Sequence, residues 1–221
     1  MALWSWWHGD PMPTISLLGD FSAESECDAS VLVGLADVEQ SEIEARLDAG
    51  HRAYVARLDG TPVSYGWVAT LAASIGELDI AFALTPCDRY LWDFGTLPAW
   101  RGRGLYPRLL QAILKQESAD ARRFWIINAP ENLASAAGIA KAGFAPVSDL
   151  AFGADHGPAS QAPGSERARS GAALLGVPLF EAVRDSRVVS PCWRCVIAAN
   201  RAATANAACW PIQEGTACTC A

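Results

Sequence analysis

The stretch Arg101-Gly102-Arg103-Gly104-Leu105-Tyr106 is the part of this sequence best suited to chemistry, because two glycines ahead of an apolar-periodic run describe a turn that opens a helix. Such a turn presents unpaired backbone N–H groups at the positive end of the helix dipole, where an anion, and phosphate above all, is stabilised. The residue types narrow which phosphate. A nucleotide P-loop needs Gly-Lys-Ser/Thr at the helix start, whereas this chain has Gly104-Leu105-Tyr106; a dinucleotide fingerprint needs glycine at 107, where Pro107 stands. Both nucleotide loops are excluded, and Arg101 and Arg103 add positive charge beside the turn.

A second candidate for chemistry is the cysteine cluster near the end of the sequence. Five of the seven cysteines (Cys192, Cys195, Cys209, Cys218, Cys220) fall there. The pairs Cys192-x-x-Cys195 and Cys218-x-Cys220 could supply four thiolates to a structural zinc, with Cys209 or His156 able to join. The spacing is not that of a finger or ribbon, so free thiols and no metal are the expectation. Net charge is −7, which lacks the basic footprint a phosphate backbone demands, so no nucleic-acid partner is expected.

The turn resembles motif A of the GNAT acetyltransferase superfamily, in which Gln/Arg-x-x-Gly-x-Gly/Ala follows a strand and a proline and wraps the pyrophosphate of CoA. Arg101, Gly102 and Gly104 follow Leu97-Pro98-Ala99-Trp100 in that order, with Tyr106 in the sixth place instead of Gly or Ala; read two residues earlier, both glycines fit and Ala99 replaces Gln/Arg. Further on, Asn132, Ser135, Lys141, Gly143 and Phe144 repeat the Asn-x-x-Ser and Lys-x-Gly-Phe spacing of motif B. The resemblance covers about residues 30–152. It implies an α/β (α+β) fold with a mixed, V-shaped central sheet flanked by helices, and acetyl-CoA as cosubstrate. It also implies that Arg101, Gly102, Arg103, Gly104, Leu105 and Tyr106 hold the pyrophosphate. Thr96 and Leu97 would pair with pantetheine, and Asn132 and Ser135 would line the second wall.

The activity implied is direct acetyl transfer to the amine of a small molecule or peptide, which needs a base, oxyanion donors and an acid for the leaving thiolate. Asp93 shares a strand face with Gly95 and Leu97 and is the first candidate base; Glu77 is the second, with Asp79 beside it. The family often carries its acid as a Tyr seven residues after the motif B Asn, where this chain has Ile139. Another group protonates the thiolate, for which Tyr106 is a poor substitute because its place is near the phosphates, or the thiolate leaves unaided, or the protein is a non-catalytic acyl-CoA-binding or interaction module. The expected partners are acetyl-CoA and an amine acceptor, with a homodimer open.

The elements that must position these residues are legible in outline. The first ~20 residues, rich in Trp and Pro, show no period and read as irregular. Residues 30–50 carry one or two helices, and 53–70 a hairpin turning on Asp59-Gly60. Glu77–Leu84 and Tyr90–Leu97 read as strands, the second with a bulge or close backbone approach at Gly95. Leu105 to Glu117 is an amphipathic helix that accommodates Pro107 in its first turn; Phe124–Ile127 is a buried strand, Glu131–Ala142 a helix stopped by Gly143, and Ala145–Phe152 a strand. The division expected is an irregular segment 1–29, the acyltransferase domain 30–152, a flexible linker 153–171 and a Cys-rich extension 172–221. The longest uncharged stretch, Gly60 to Gly76, is broken by Pro62 and Gly66 and reads as strands, so no membrane span is expected. The start carries no Lys or Arg ahead of its short apolar run, which is unlike a secretory signal, and a cytoplasmic location is expected.

Overall fold

In the computed structural model the described residues are 1–152, 157–162 and 164–181. In chain order the first strands and helices are β1 (Ala2–Trp7), β2 (Phe21–Glu26), α1 (Ala29–Ala36), α2 (Gln40–Asp48), β3 (Arg52–Leu58) and β4 (Thr61–Ala69). A small hairpin follows, β5 (Ala72–Ile75) and β6 (Ile80–Ala83), then β7 (Asp88–Thr96), α3 (Leu105–Glu117) and β8 (Arg123–Asn128). The chain continues as α4 (Leu133–Ala142), β9 (Ala145–Phe152), β10 (Pro158–Ala162), α5 (Glu166–Leu175) and β11 (Leu179–Glu181).

Nine strands form one mixed, mostly antiparallel sheet in the order β11-β10-β9-β1-β8-β7-β4-β3-β2. The β3–β4 hairpin turns where expected, with Asp59 and Gly60 both at positive φ (50° and 75°), as a two-residue type I′ turn requires. β7 and β8 run parallel and pair only from Asp88 to Leu91 against Arg123 to Ile126. Beyond Leu91 the two strands diverge, which gives the sheet its V and opens a gap at its centre.

Helices cover both faces. On one face α3 and α4 bury Leu109, Leu110, Ile113, Leu114 and Ile139 against Leu91, Phe124 and Ile126. On the other, α1 and α2 deliver Leu32 and Ile43 onto Val55 and Trp67, while α5 and the β5–β6 hairpin pack over Leu3, Tyr90 and Trp125. Removing this apolar surface from water is what holds the layers together.

Two expectations are corrected. The first residues are not irregular: β1 lies in the middle of the sheet, antiparallel to both β8 and β9. Its Leu3 packs into one layer and its Trp6 into the other. A strand covered on both faces shows no polar alternation, which is why its period is invisible. The stretch read as a linker also contains structure: β10 pairs with β9, and Ser165 caps α5 by accepting from the Ala168 N–H at 3.1 Å. The Cys192, Cys195, Cys209, Cys218 and Cys220 cluster and His156 lie outside the described residues. Among the described residues, Cys27 and Cys87 are free thiols, no three His, Cys, Asp or Glu side chains are placed to hold a metal, and no helix is long and apolar enough to cross a membrane.

Candidate functional site

The divergence of β7 from β8 opens a cleft of about 790 Å³ whose walls come from β7, β8, α4 and the turn into α3. At that turn Gly102 and Gly104 take φ values of 77° and 70°, a region that costs any residue with a Cβ, so the two glycines are a backbone requirement of the turn itself. Among the described residues, the N–H groups of Gly102, Arg103, Gly104, Leu105 and Tyr106 donate to no protein acceptor. Five adjacent unpaired donors at the start of a thirteen-residue helix make a strong anion cradle.

β7 carries the next part of the site. Tyr65 of β4 lies opposite Gly95 and Trp67 opposite Trp92, so β7 holds one extra residue there, a β-bulge at Asp93, whose φ is 48°. The bulge turns consecutive residues, Trp92 and Asp93, toward α2. Arg46 of α2 meets both: its guanidinium lies over the Trp92 ring at 4.7 Å and the Trp67 ring at 5.2 Å, and its Nη1 donates to Asp93 Oδ2 at 2.5 Å. Gly95 is needed because the Tyr65 ring crosses it; a Cβ there would stand 2.3 Å from Tyr65 Cε1. Past the bulge, Leu97 gives its N–H to Val63, so alternation turns the backbone groups of Thr96 the other way, where Arg101 Nε donates to the Thr96 carbonyl at 3.0 Å.

On the opposite wall, Asn132 caps α4: its Oδ1 accepts from the Ser135 N–H at 2.9 Å, which accounts physically for the Asn-x-x-Ser spacing. Gly143 ends the helix at φ 109° and lets Phe144 turn into the core. Tyr106 reaches across from α3 to this wall. Its ring packs on Gly138 and meets Phe94 edge-on at 5.3 Å, and its Oη lies 3.4 Å from Ser135 Oγ. Burial pushes the Tyr106 phenol up to about 12, partly opposed by the hydrogen bond to Ser135, so it keeps its proton at neutral pH.

Of the residues singled out from sequence, Glu77, Asp93, Thr96, Arg101, Gly102, Gly104, Leu105, Tyr106, Asn132 and Ser135 all line this one cleft. Leu97 and the side chain of Arg103 are not brought to it: the Leu97 N–H is spent on Val63, and the Arg103 guanidinium stacks over Trp100 at 4.6 Å. Ile139 points away, fully buried in the α3–α4 core. Sequence reasoning missed Gly138 and Trp92 as parts of the wall. A glycine inside an alanine-rich helix costs about 1 kcal/mol and was the available sign that something large must cross there.

A family model described as acetyltransferase (GNAT) family matches residues 19–144, more than half of the chain. No curated protein matches it. Among solved structures, a GNAT-family acetyltransferase from Novosphingobium aromaticivorans is 18% identical, with 66% of this chain and 59% of that one covered and a TM-score of 0.46. A GCN5-related N-acetyltransferase from Kribbella flavida is likewise 18% identical over 66% of this chain and 53% of that one, at 0.41. The chain thus spans under two thirds of the length of both. The aminoglycoside N-acetyltransferase AAC(6')-Iy, solved with a CoA bisubstrate analogue, is 17% identical over 61% of this chain and 97% of that one, at 0.49.

Proposed function

This chain belongs to the acetyltransferase (GNAT) family, and on that premise we propose that it binds acetyl-CoA in the β7–β8 cleft and transfers the acetyl group to an amine. The observation that carries the reading is the run of five unpaired N–H groups from Gly102 to Tyr106, at the mouth of a cleft opened by two diverging strands. The residues fit the cosubstrate part by part. The helix start and the Arg101 side chain meet the pyrophosphate's charge, the Thr96 backbone offers an extended partner to pantetheine, and α4 closes the other side. When bound, acetyl-CoA supplies an activated thioester and a good leaving group.

The protein's own groups then divide the remaining work. Glu77 and Asp93 line the cleft and draw an ammonium toward it. To act as the base, Asp93 would have to release Arg46, which already donates to its Oδ2. Tyr106, protonated and reaching away from the phosphate turn to Ser135 of α4, is a phenol of the cleft wall suited to donate to a departing thiolate, a part Ile139 has neither the chemistry nor the direction to play. The exposed thiols of Cys27 and Cys87 suit the reducing cytoplasm, where we place the protein.

Calorimetric titration with acetyl-CoA, followed by thiol-release assays over a panel of amines, sugars and peptides, tests the reading. Saturable binding with turnover on at least one amine is expected, and no binding heat would overturn it. Binding without turnover across the panel would leave the second reading, a non-catalytic acyl-CoA-binding module. The core position of Ile139 is the observation in its favour.

A further inference from the structure

A smaller cavity of about 260 Å³ adjoins the cleft on the α2 side of the sheet, lined by His51, Ala72, Ala73, Ser74 and Trp92. Ser74 and Trp92 line both spaces, so the two lie side by side next to the bulge of β7. Around it, three ring nitrogens are buried without a partner: His51 Nδ1, Trp67 Nε1 and Trp92 Nε1. Unpaired buried groups are costly, and of these three only the imidazole is able to accept a proton, since an indole N–H can only donate. Trp67 is fully buried and stacks beside Trp92 at 6.2 Å, while His51 meets the Trp92 ring edge-on at 5.2 Å.

We propose that this cavity is the acceptor site, that it takes a primary amine carried on a single ring-sized apolar group laid against Trp92, and that His51 accepts the proton the amine gives up. The proposal rests on the acetyltransferase reading and names that reaction's acceptor and base. Size and lining point to the acceptor: Ala72, Ala73 and Trp92 offer apolar surface, and about 260 Å³ is room for one ring. Glu77, beyond Ser74 on the same cleft wall, supplies the negative charge that an ammonium seeks.

The charges around His51 favour its neutral form. Burial lowers its proton affinity below the ordinary histidine value, and the Arg46 charge lowers it further. Arg46 comes from α2 with Glu42 and Asp93 as its ion-pair partners, β4 brings Tyr65 alongside Asp93, and β5 contributes only Ala72, Ala73 and Ser74. In the transfer, the ammonium gives one proton to His51. The amine nitrogen forms a bond to the acetyl carbonyl carbon as the carbon–sulfur bond breaks. The second proton shed by that nitrogen replaces the one Tyr106 donates to the thiolate, and the imidazolium returns its proton to water.

The test follows the His51 ring directly by NMR of ¹⁵N-histidine protein, in which there are only three histidines, His8, His51 and His156, assigned with His51→Gln. Added 2-phenylethylamine should shift the His51 signals, ethylamine should do so far less, and Trp92→Ala should abolish the response. With acetyl-CoA present, 2-phenylethylamine should release thiol with a kcat/KM that falls as pH drops through a value below 6.5. His51→Gln should lower kcat by about a hundredfold and remove that acidic limb, with acetyl-CoA affinity unchanged. His51 signals unmoved by 2-phenylethylamine, or an unaltered pH profile in His51→Gln, would overturn the proposal. Failure of acetyl-CoA to bind in calorimetry would instead sink the acetyltransferase reading, and the NMR response to the amine is read independently of it.

Discussion

At the scale of single residues, the site turns on the pair Tyr106 and Gly138. A Cβ on Gly138 would stand 2.4 Å from Tyr106 Cδ1, an atom near the root of the ring that cannot step aside as a flexible tip could. Gly138→Ala should therefore destabilise by roughly 1–3 kcal/mol through overpacking. In a Tyr106→Ala background the obstacle is gone, and the same change should stabilise by about 1 kcal/mol through helix propensity. Urea denaturation of the four proteins checks this; additive effects would mean the two residues do not compete for space. The glycines of the α3 turn teach the complementary lesson. Their spacing was legible because Gly102 and Gly104 need positive φ, and for that reason Gly104→Val would strain the turn as well as obstruct it. The His51–Trp92 contact was not legible, since it joins residues forty-one apart through a bulge whose register no local pattern announces.

At the scale of elements, α3 is fastened at both ends, and its far end is ionic. Glu117 is almost wholly buried and accepts from Arg89 Nε at 2.7 Å, Tyr54 Oη at 2.7 Å and Arg52 Nη1 at 2.9 Å, which ties the helix to β3 and β7. Burial raises its proton affinity, but the hydrogen bonds from Arg89, Tyr54 and Arg52 outweigh that and hold its pKa below the usual 4.5. A carboxyl depressed on folding stabilises the fold above its unfolded pKa, and that contribution is lost as pH falls through the folded value. Glu117→Gln should thus cost roughly 3–5 kcal/mol at neutral pH, by leaving a buried arginine unpaired, with the gap from the parent protein narrowing below pH 4.5. Thermal unfolding midpoints against pH measure it, and curves that stay parallel through the acid range would refute it. The helix itself was plain in sequence from Leu105, Leu109 and Ile113. Its ionic anchor was hidden because Arg52, Arg89 and Glu117 are far apart in the chain.

At the scale of the whole molecule, the core of the family fold could be read because its strands and helices follow one another locally: the Asp59-Gly60 hairpin, the strand-turn-helix around Gly104, the capped helix from Asn132. What could not be read is what the chain's outer parts do to that core. β1 sets Leu3 opposite both Ile127 and Ser148, so its place depends on strands made more than a hundred residues later. Pairings of such long separation are slow to form. Pulsed hydrogen exchange during refolding should find the β3–β4 amides protected in an early phase and the β1 amides in the slowest one. Simultaneous protection of both would refute this order.

That position of β1 gives synthesis a particular timetable. β1 leaves the ribosome more than a hundred residues ahead of its partners and must wait, unpartnered, until β8 and then β9 have emerged, and those two strands meanwhile present open edges toward the slot it will fill. Open edges invite pairing with other chains. The dangerous interval for this protein therefore falls between the emergence of β8 and that of β9, and conditions that slow elongation past residue 128 should raise the fraction lost to aggregation.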